Sequence, residues 1–153
     1  MKKRIFENLN EILEIFNKCD VCYLSMIDNN NLPYVLPFNF GYKDNYLYFH
    51  CNMSGKKIET LTNNKNVCIA FSTDHSLTFQ SESVACSFSM KFRSAIVYGK
   101  VEWVDEYNEK EEALNIIMGK YTSKSFTFSK PAVNNIGVFK VKIDKATGKE
   151  SGY

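Results

Sequence analysis

Between Val21 and His50 three aromatic and β-branched runs, VCYLSMI, LPYVLPFNFGY and YLYFH, are separated only by the turn clusters DNNN and KDN. Such spacing leaves no room for helices between these strands. A doubly wound parallel sheet needs a helix after nearly every strand and is thereby disfavoured; short antiparallel connections are what remains. Pro33 and Pro37 add a second constraint. Each lacks a backbone donor, so the middle run cannot be a regular centre strand throughout. Main-chain groups left over along it could engage a ligand, although an edge strand without a ligand carries prolines too.

The rest of the chain fills in around this ribbon. Ile5, Phe6, Leu9, Ile12, Leu13 and Phe16 recur at helical spacing and predict an amphipathic helix over about 5–18, packed on the barrel. Glutamates rather than lysines line its polar face, which disfavours an anionic membrane surface. A short helix fits 54–64, a strand 66–73, and a second helix 108–121. VACSFSMKF at 84–92 runs into RSAIVYGKVEWV at 93–104, one long strand or two broken near Arg93, with Gly99 marking a bulge or a close backbone approach. Residues 122–135 read as a loop, and GVFKVKIDKATGK supplies a closing strand. The pattern predicts a mostly β fold with peripheral helices, a six-stranded antiparallel barrel or barrel-like sheet, forming a single domain over 1–153.

Bulk properties narrow the function. A chain of 153 residues with 44% hydrophobic and 24% charged residues can bury its own core without metal or disulfides. A net charge of +2, with no lysine run interleaved with aromatics, argues against nucleic acid as a partner. No apolar run approaches a membrane span. Five cysteines, mostly in or beside apolar runs, fit buried free thiols in a reducing, cytoplasmic setting. The CDVC spacing at 19–22 opens a strand, so it lacks the helix-terminal position that lowers a thiol pKa. A zinc site would have to gather distant cysteines and histidines, and none is assigned.

One corner carries chemistry. Ser54 is a candidate N-cap, so the amides of Gly55, Lys56 and Lys57 would lack intrahelical partners and could, with two ammonium groups, seat a phosphate. SGKK alone also describes an ordinary solvated helix start. Nearby, Phe38, Phe40 and Tyr42 alternate onto one side, and His50 ends the next strand beside Cys51. A flat heteroaromatic ring could lie along this strand end with its phosphate at the helix start. A phosphate monoester carries about −1.5 to −2 charge near neutrality, and two lysines match it.

Taken in order, PYVLPFNFGY, LYFH, SGKKIETLTNNKNVCIAF, FRSAIVYGKVEWV and VFKVKIDKATGK resemble the pyridoxamine 5′-phosphate oxidase-like FMN-binding split barrels, most closely the 5-nitroimidazole-resistance branch. The resemblance covers most of the chain. It implies a split β-barrel that holds FMN between two subunits of a homodimer and passes electrons from NAD(P)H or another donor to a small-molecule acceptor. It places Val35, Leu36, Pro37, Phe38, Asn39 and Phe40 along the flavin ring, Lys56 and Lys57 on the phosphate, His50 and Cys51 at the strand end touching the flavin, and Ser94 with Arg93 on a later cofactor-contacting strand. His50 is the implied proton donor. The true oxidase has a basic residue at each end of the cofactor strand, where this chain has Val35 and Phe40, and its C-terminal arginine region has no counterpart. Pyridoxamine phosphate oxidation is therefore not expected, and an apolar Phe40 would favour a flat or small substrate. Alternatives are a flavin store or redox sensor without turnover, and a split barrel binding haem or a deazaflavin.

Overall fold

The computed structural model describes residues 1–153. The chain opens with β1 (Lys3–Phe6), α1 (Leu9–Lys18) and β2 (Cys22–Ile27). There follow β3 (Pro33–Phe38), β4 (Gly41–Lys43), β5 (Tyr46–Asn52), α2 (Lys56–Asn63), β6 (Asn66–Thr78) and β7 (Ser89–Val104). It closes with α3 (Tyr107–Tyr121), α4 (Lys130–Asn134), β8 (Ile136–Lys142) and β9 (Lys145–Ser151). The strands pair antiparallel in the order β3-β2-β6-β7-β8-β5-β4, with β9 on β7 and β1 on β9. Nine strands therefore replace the six expected, within the same mostly β class. One extra strand arises because the final run folds back at Ile143–Asp144 into the β8–β9 hairpin, and the short strands β1 and β4 supply the other two.

The predicted N-terminal helix begins late. Asn8 caps α1 by accepting from the Glu11 amide at 3.2 Å, while Lys3–Phe6 are drawn into pairing with Gly148–Ser151. Ile5 and Phe6 fit the helical repeat by coincidence, and Ile5 is 70% exposed. The 84–92 segment starts with a 3₁₀ turn at Ala85–Ser87 before the single long strand β7, which does not break at Arg93. Part of the 122–135 loop forms α4. Gly99 does lie in a close approach, since a Cβ there would strike the Lys142 carbonyl.

Inward side chains of both curved halves form one core. Phe16 of α1 lies 4.2 Å from the Phe71 ring, and Phe40 meets Phe71 edge-on at 5.0 Å. Phe49 stacks on Phe139 at 5.0 Å, with Phe38 edge-on to both. Each such ring contributes on the order of 1.5–3 kcal/mol by leaving water. A smaller cluster of Val104, Ala113, Leu114, Val133 and Val138 seats α3 and α4 on the outside of β8. No helix is long and apolar enough to cross a membrane.

An ionic chain ties the ends together. Arg4 pairs with Glu11 and Glu150, Arg93 with Glu150 and Asp74, and Lys18 with Asp74 at 2.8 Å. Asp74 sits at positive φ in the bulge of β6 between Thr73 and Ser76. These partners hold the Asp74 and Glu150 carboxyls below the usual carboxylate range. A depressed native pKa means the unfolded chain binds protons first, so this stabilisation is complete above the ordinary carboxylate range and fades as pH falls through the native values. The urea midpoint is expected to drop below about pH 4, and Asp74→Asn should flatten part of that drop; an unaltered acid limb would discount the chain.

Candidate functional site

The β-path begins at β3 and ends at β4, yet these two strands are consecutive, with only Asn39 and Phe40 between them. The barrel should close there. It does so only partway. β4 pairs Gly41 with Tyr48 and Lys43 with Tyr46. Continuing that register would oppose Asn39 to His50 and Pro37 to Asn52. Instead β3 leaves to pair with β2 along Pro33–Phe38, while the end of β5 stays with β8 through Asn52. A split opens between the free edge of β3 and the His50–Asn52 end of β5.

Proline makes the free edge of β3 possible. Pro33, Val35 and Pro37 share one parity, and prolines are tolerated in a sheet where the missing donor would face away from a partner strand. The side chains of Val35 and Pro37 are exposed on the outer face of the sheet, whereas Leu36 and Phe38 turn toward the core. Asn39 is exposed and donates from Nδ2 to the Asp20 carbonyl at 3.2 Å. Phe40 corrects an expectation. It is 1% exposed and packed against Phe16 and Phe71, so its ring shapes the core and not a substrate surface.

Across the split, His50 and Cys51 point to opposite faces. His50 is exposed, and crowding by protein atoms lowers its pKa below the ordinary histidine value. Cys51 turns inward, and burial raises its thiol pKa against a smaller opposing pull from Lys57. The CDVC thiols are likewise buried, with Cys22 pushed up to about 12 by desolvation. Neither behaves as a reactive thiolate.

Beyond β5 the chain turns into α2. The cap position belongs to Gly55 at φ 93°, not to Ser54, and no side chain caps the helix. Only glycine enters that conformation without strain, and a Cβ there would meet nothing within 4 Å, so the helix start is both uncapped and open. The two lysines differ. Lys56 Nζ lies 2.7 Å from Asp28 Oδ2 and 4.7 Å above the Tyr34 ring. Asp28 is buried and also accepts from the Asn30 and Leu32 amides, holding the β2–β3 turn. Lys57 is in no ion pair. The expected lysine pair is thus one committed and one available ammonium group. Asp28 was legible only as part of a turn cluster, because nothing local announces its partner.

Arg93 and Ser94 stand apart. β2 and β6 intervene between them and β3. Arg93 is spent on Asp74 at 2.7 Å and lies 4.0 Å from the Tyr153 ring, while Ser94 projects outward opposite Ser72. Between them and β3 stretches an outer sheet face bearing Val35, Tyr23 and Tyr98, each more than half exposed, with Ile27 at 40%. The principal clefts, of about 160–450 Å³, are lined by none of the residues at the split apart from Phe40.

A family model described as pyridoxamine 5′-phosphate oxidase matches residues 8–150. The chain belongs to that family. Its structure is similar to that of a candidate 5-nitroimidazole antibiotic resistance protein from Bacteroides thetaiotaomicron, at 44% identity and TM-score 0.88 over 97% of this chain and 87% of that one. An FAD and heme binding protein from Mycobacterium smegmatis superposes with TM-score 0.84 at 14% identity, over 97% of this chain and 74% of that one. An FAD-binding protein from Mesorhizobium loti does so with TM-score 0.71 at 23% identity, over 99% of this chain and all of the other. The last two share the fold. Among curated proteins none matches the chain.

Proposed function

We propose that this protein is an FMN-dependent oxidoreductase, acting as a homodimer, that passes electrons from a nicotinamide nucleotide or comparable donor to a small acceptor. The observation that carries it is the convergence of an open strand edge, a strand-end histidine and an uncapped helix start with an unpaired Lys57 at one split in the barrel. A phosphate monoester meets helix amides, the positive end of the helix dipole and an ammonium group there. The free edge of β3 offers main-chain groups to a flat ring with polar edges. FMN would supply the electron-transfer chemistry; the chain's own residues bind, orient and exclude water.

The exposed apolar face supports a second subunit. Val35, Tyr23 and Tyr98 lie on the same side of the sheet as Pro37 and Ser94, so a copy docked on it would cover the split and bring a distant strand to the ring. The 44% identity to a candidate nitroimidazole-resistance protein supports a nitro-aromatic or similarly flat acceptor.

His50 is proposed as the proton donor to the reduced acceptor. Its lowered pKa keeps the imidazole neutral near pH 7, and the charged form accumulates only below the ordinary value of about 6.5. Acceptor reduction should therefore accelerate as pH falls through that region, and His50→Gln should remove the rise while leaving FMN affinity nearly unchanged. The reverse pattern would assign His50 to cofactor retention.

The decisive measurement is the absorbance spectrum of the purified protein with and without added FMN. Two flavin bands bleached by NAD(P)H and restored by an acceptor are expected. Flavin that binds but reduces sluggishly would indicate a store, and a single intense Soret band would replace flavin with haem.

A further inference from the structure

The residues that open the split are themselves held by α3. Between β3 and β4 the Phe40 amide has left one ladder and not entered the next. Tyr121, the last residue of α3, accepts from that amide at 3.1 Å and donates from the same hydroxyl to the Asp20 carbonyl at 2.7 Å. Asn39 donates to the same carbonyl. One turn of chain is thus tied to the α1–β2 connection at the Asp20 carbonyl, through the Tyr121 phenol and directly by Asn39.

Two neighbouring contacts make this corner stiff. Lys120 lies 4.6 Å from the Phe40 ring centroid and donates to the Phe16 carbonyl at 2.8 Å, joining the ends of α1 and α3. Gly41 lies directly under the α3 backbone, where a Cβ would come within 2.7 Å of the Ile116 carbonyl oxygen. Residues 40 and 41 are therefore both held by α3, Gly41 by close contact with its backbone and Phe40 by the hydroxyl of its last residue. These contacts hold the point at which β3 parts from β4.

We infer that Tyr121 is a positioning residue for the bound flavin, acting through the Phe40 amide to set the angle of β3 against the end of β5. This rests on the flavin reading above. The Tyr121 hydroxyl is spent on the Phe40 amide and the Asp20 carbonyl, and bonds neither His50 nor the start of α2. It acts on the ligand only by aiming the strand edge, as a rigid support aims a binding group.

The test is Tyr121→Phe, which keeps the ring and removes both hydrogen bonds, studied with FMN at saturating concentration. Expected are an FMN dissociation constant raised roughly tenfold, a changed visible circular dichroism of the bound flavin, and a shifted flavin reduction potential. The control is Tyr107→Phe at the other end of the same helix, where the hydroxyl donates to the Phe128 carbonyl at 3.1 Å; its bound flavin should match the wild type. If Tyr121→Phe is merely less stable, with the dichroism and potential of saturated flavin unchanged, the inference is overturned and Tyr121 is only a brace. Should that variant not fold, Lys120→Met removes the neighbouring tie between α3 and α1 and the contact with the Phe40 ring, and is read by the same two signals. A wild-type chain that binds no FMN would overturn the flavin reading and this inference together, whereas a binding wild type beside an indifferent variant overturns this one alone.

Discussion

Phe40→Ala lowers the unfolding free energy by about 3–5 kcal/mol. The ring is 1% exposed and shares edge contacts with Phe16 and Phe71, so its removal loses transfer energy and leaves a cavity between α1 and two strands. Collapse cannot fill that space readily, because the Tyr121 hydroxyl and the α3 backbone hold residues 40 and 41 in place. Small domains have a total stability of about 5–15 kcal/mol, so the variant should be largely or wholly unfolded at moderate urea. Equilibrium urea unfolding followed by far-ultraviolet dichroism measures the loss. A cost under about 1 kcal/mol would show that Phe40 faces outward, as a substrate-lining residue would.

The second large effect separates two adjacent lysines. Lys57→Ala should weaken FMN binding by about 2 kcal/mol, or roughly thirtyfold, because a charge-assisted contact to a dianion is lost while the helix start stays open. Its stability should hardly change, since Lys57 is in no ion pair. Lys56→Ala should do the opposite. It strips the buried Asp28 carboxylate of its cation and loosens the β2–β3 turn, lowering the urea midpoint, with a smaller change in FMN affinity. Fluorescence titration of FMN and urea unfolding on both variants resolve the pair. If affinity falls at Lys56 and not at Lys57, the phosphate is seated on the other side of the helix.

Local pattern made much of this molecule readable. The period-two runs, the turn clusters and the paired prolines argued against a regular centre strand over 32–42, and the structure divides that run into β3 and β4 at the two ends of the sheet path. Alternation also showed that Phe38, Phe40 and Tyr42 share a side. It could not say which side, because that depends on where the barrel closes. Long-range pairing hid the rest. Ile5 and Phe6 satisfy a helical repeat and become part of a strand only because Gly148–Ser151 lie beside Lys3–Phe6. Arg93 reads as a free cation until Asp74 and Glu150 arrive from other strands, and Lys56 until Asp28 does. Tyr121 gives no local sign of its role, since its two partners lie at positions 20 and 40.

The prolines at 33 and 37 have one more effect. A bare sheet margin normally invites any extended polypeptide to add itself and grow the sheet. Here two of the donors such an intruder would need are missing, because Pro33 and Pro37 have no amide hydrogen, so the margin is a poor template for an added strand. The same two rings that leave the β3 edge short of donors also protect the molecule from edge-to-edge association with its own kind.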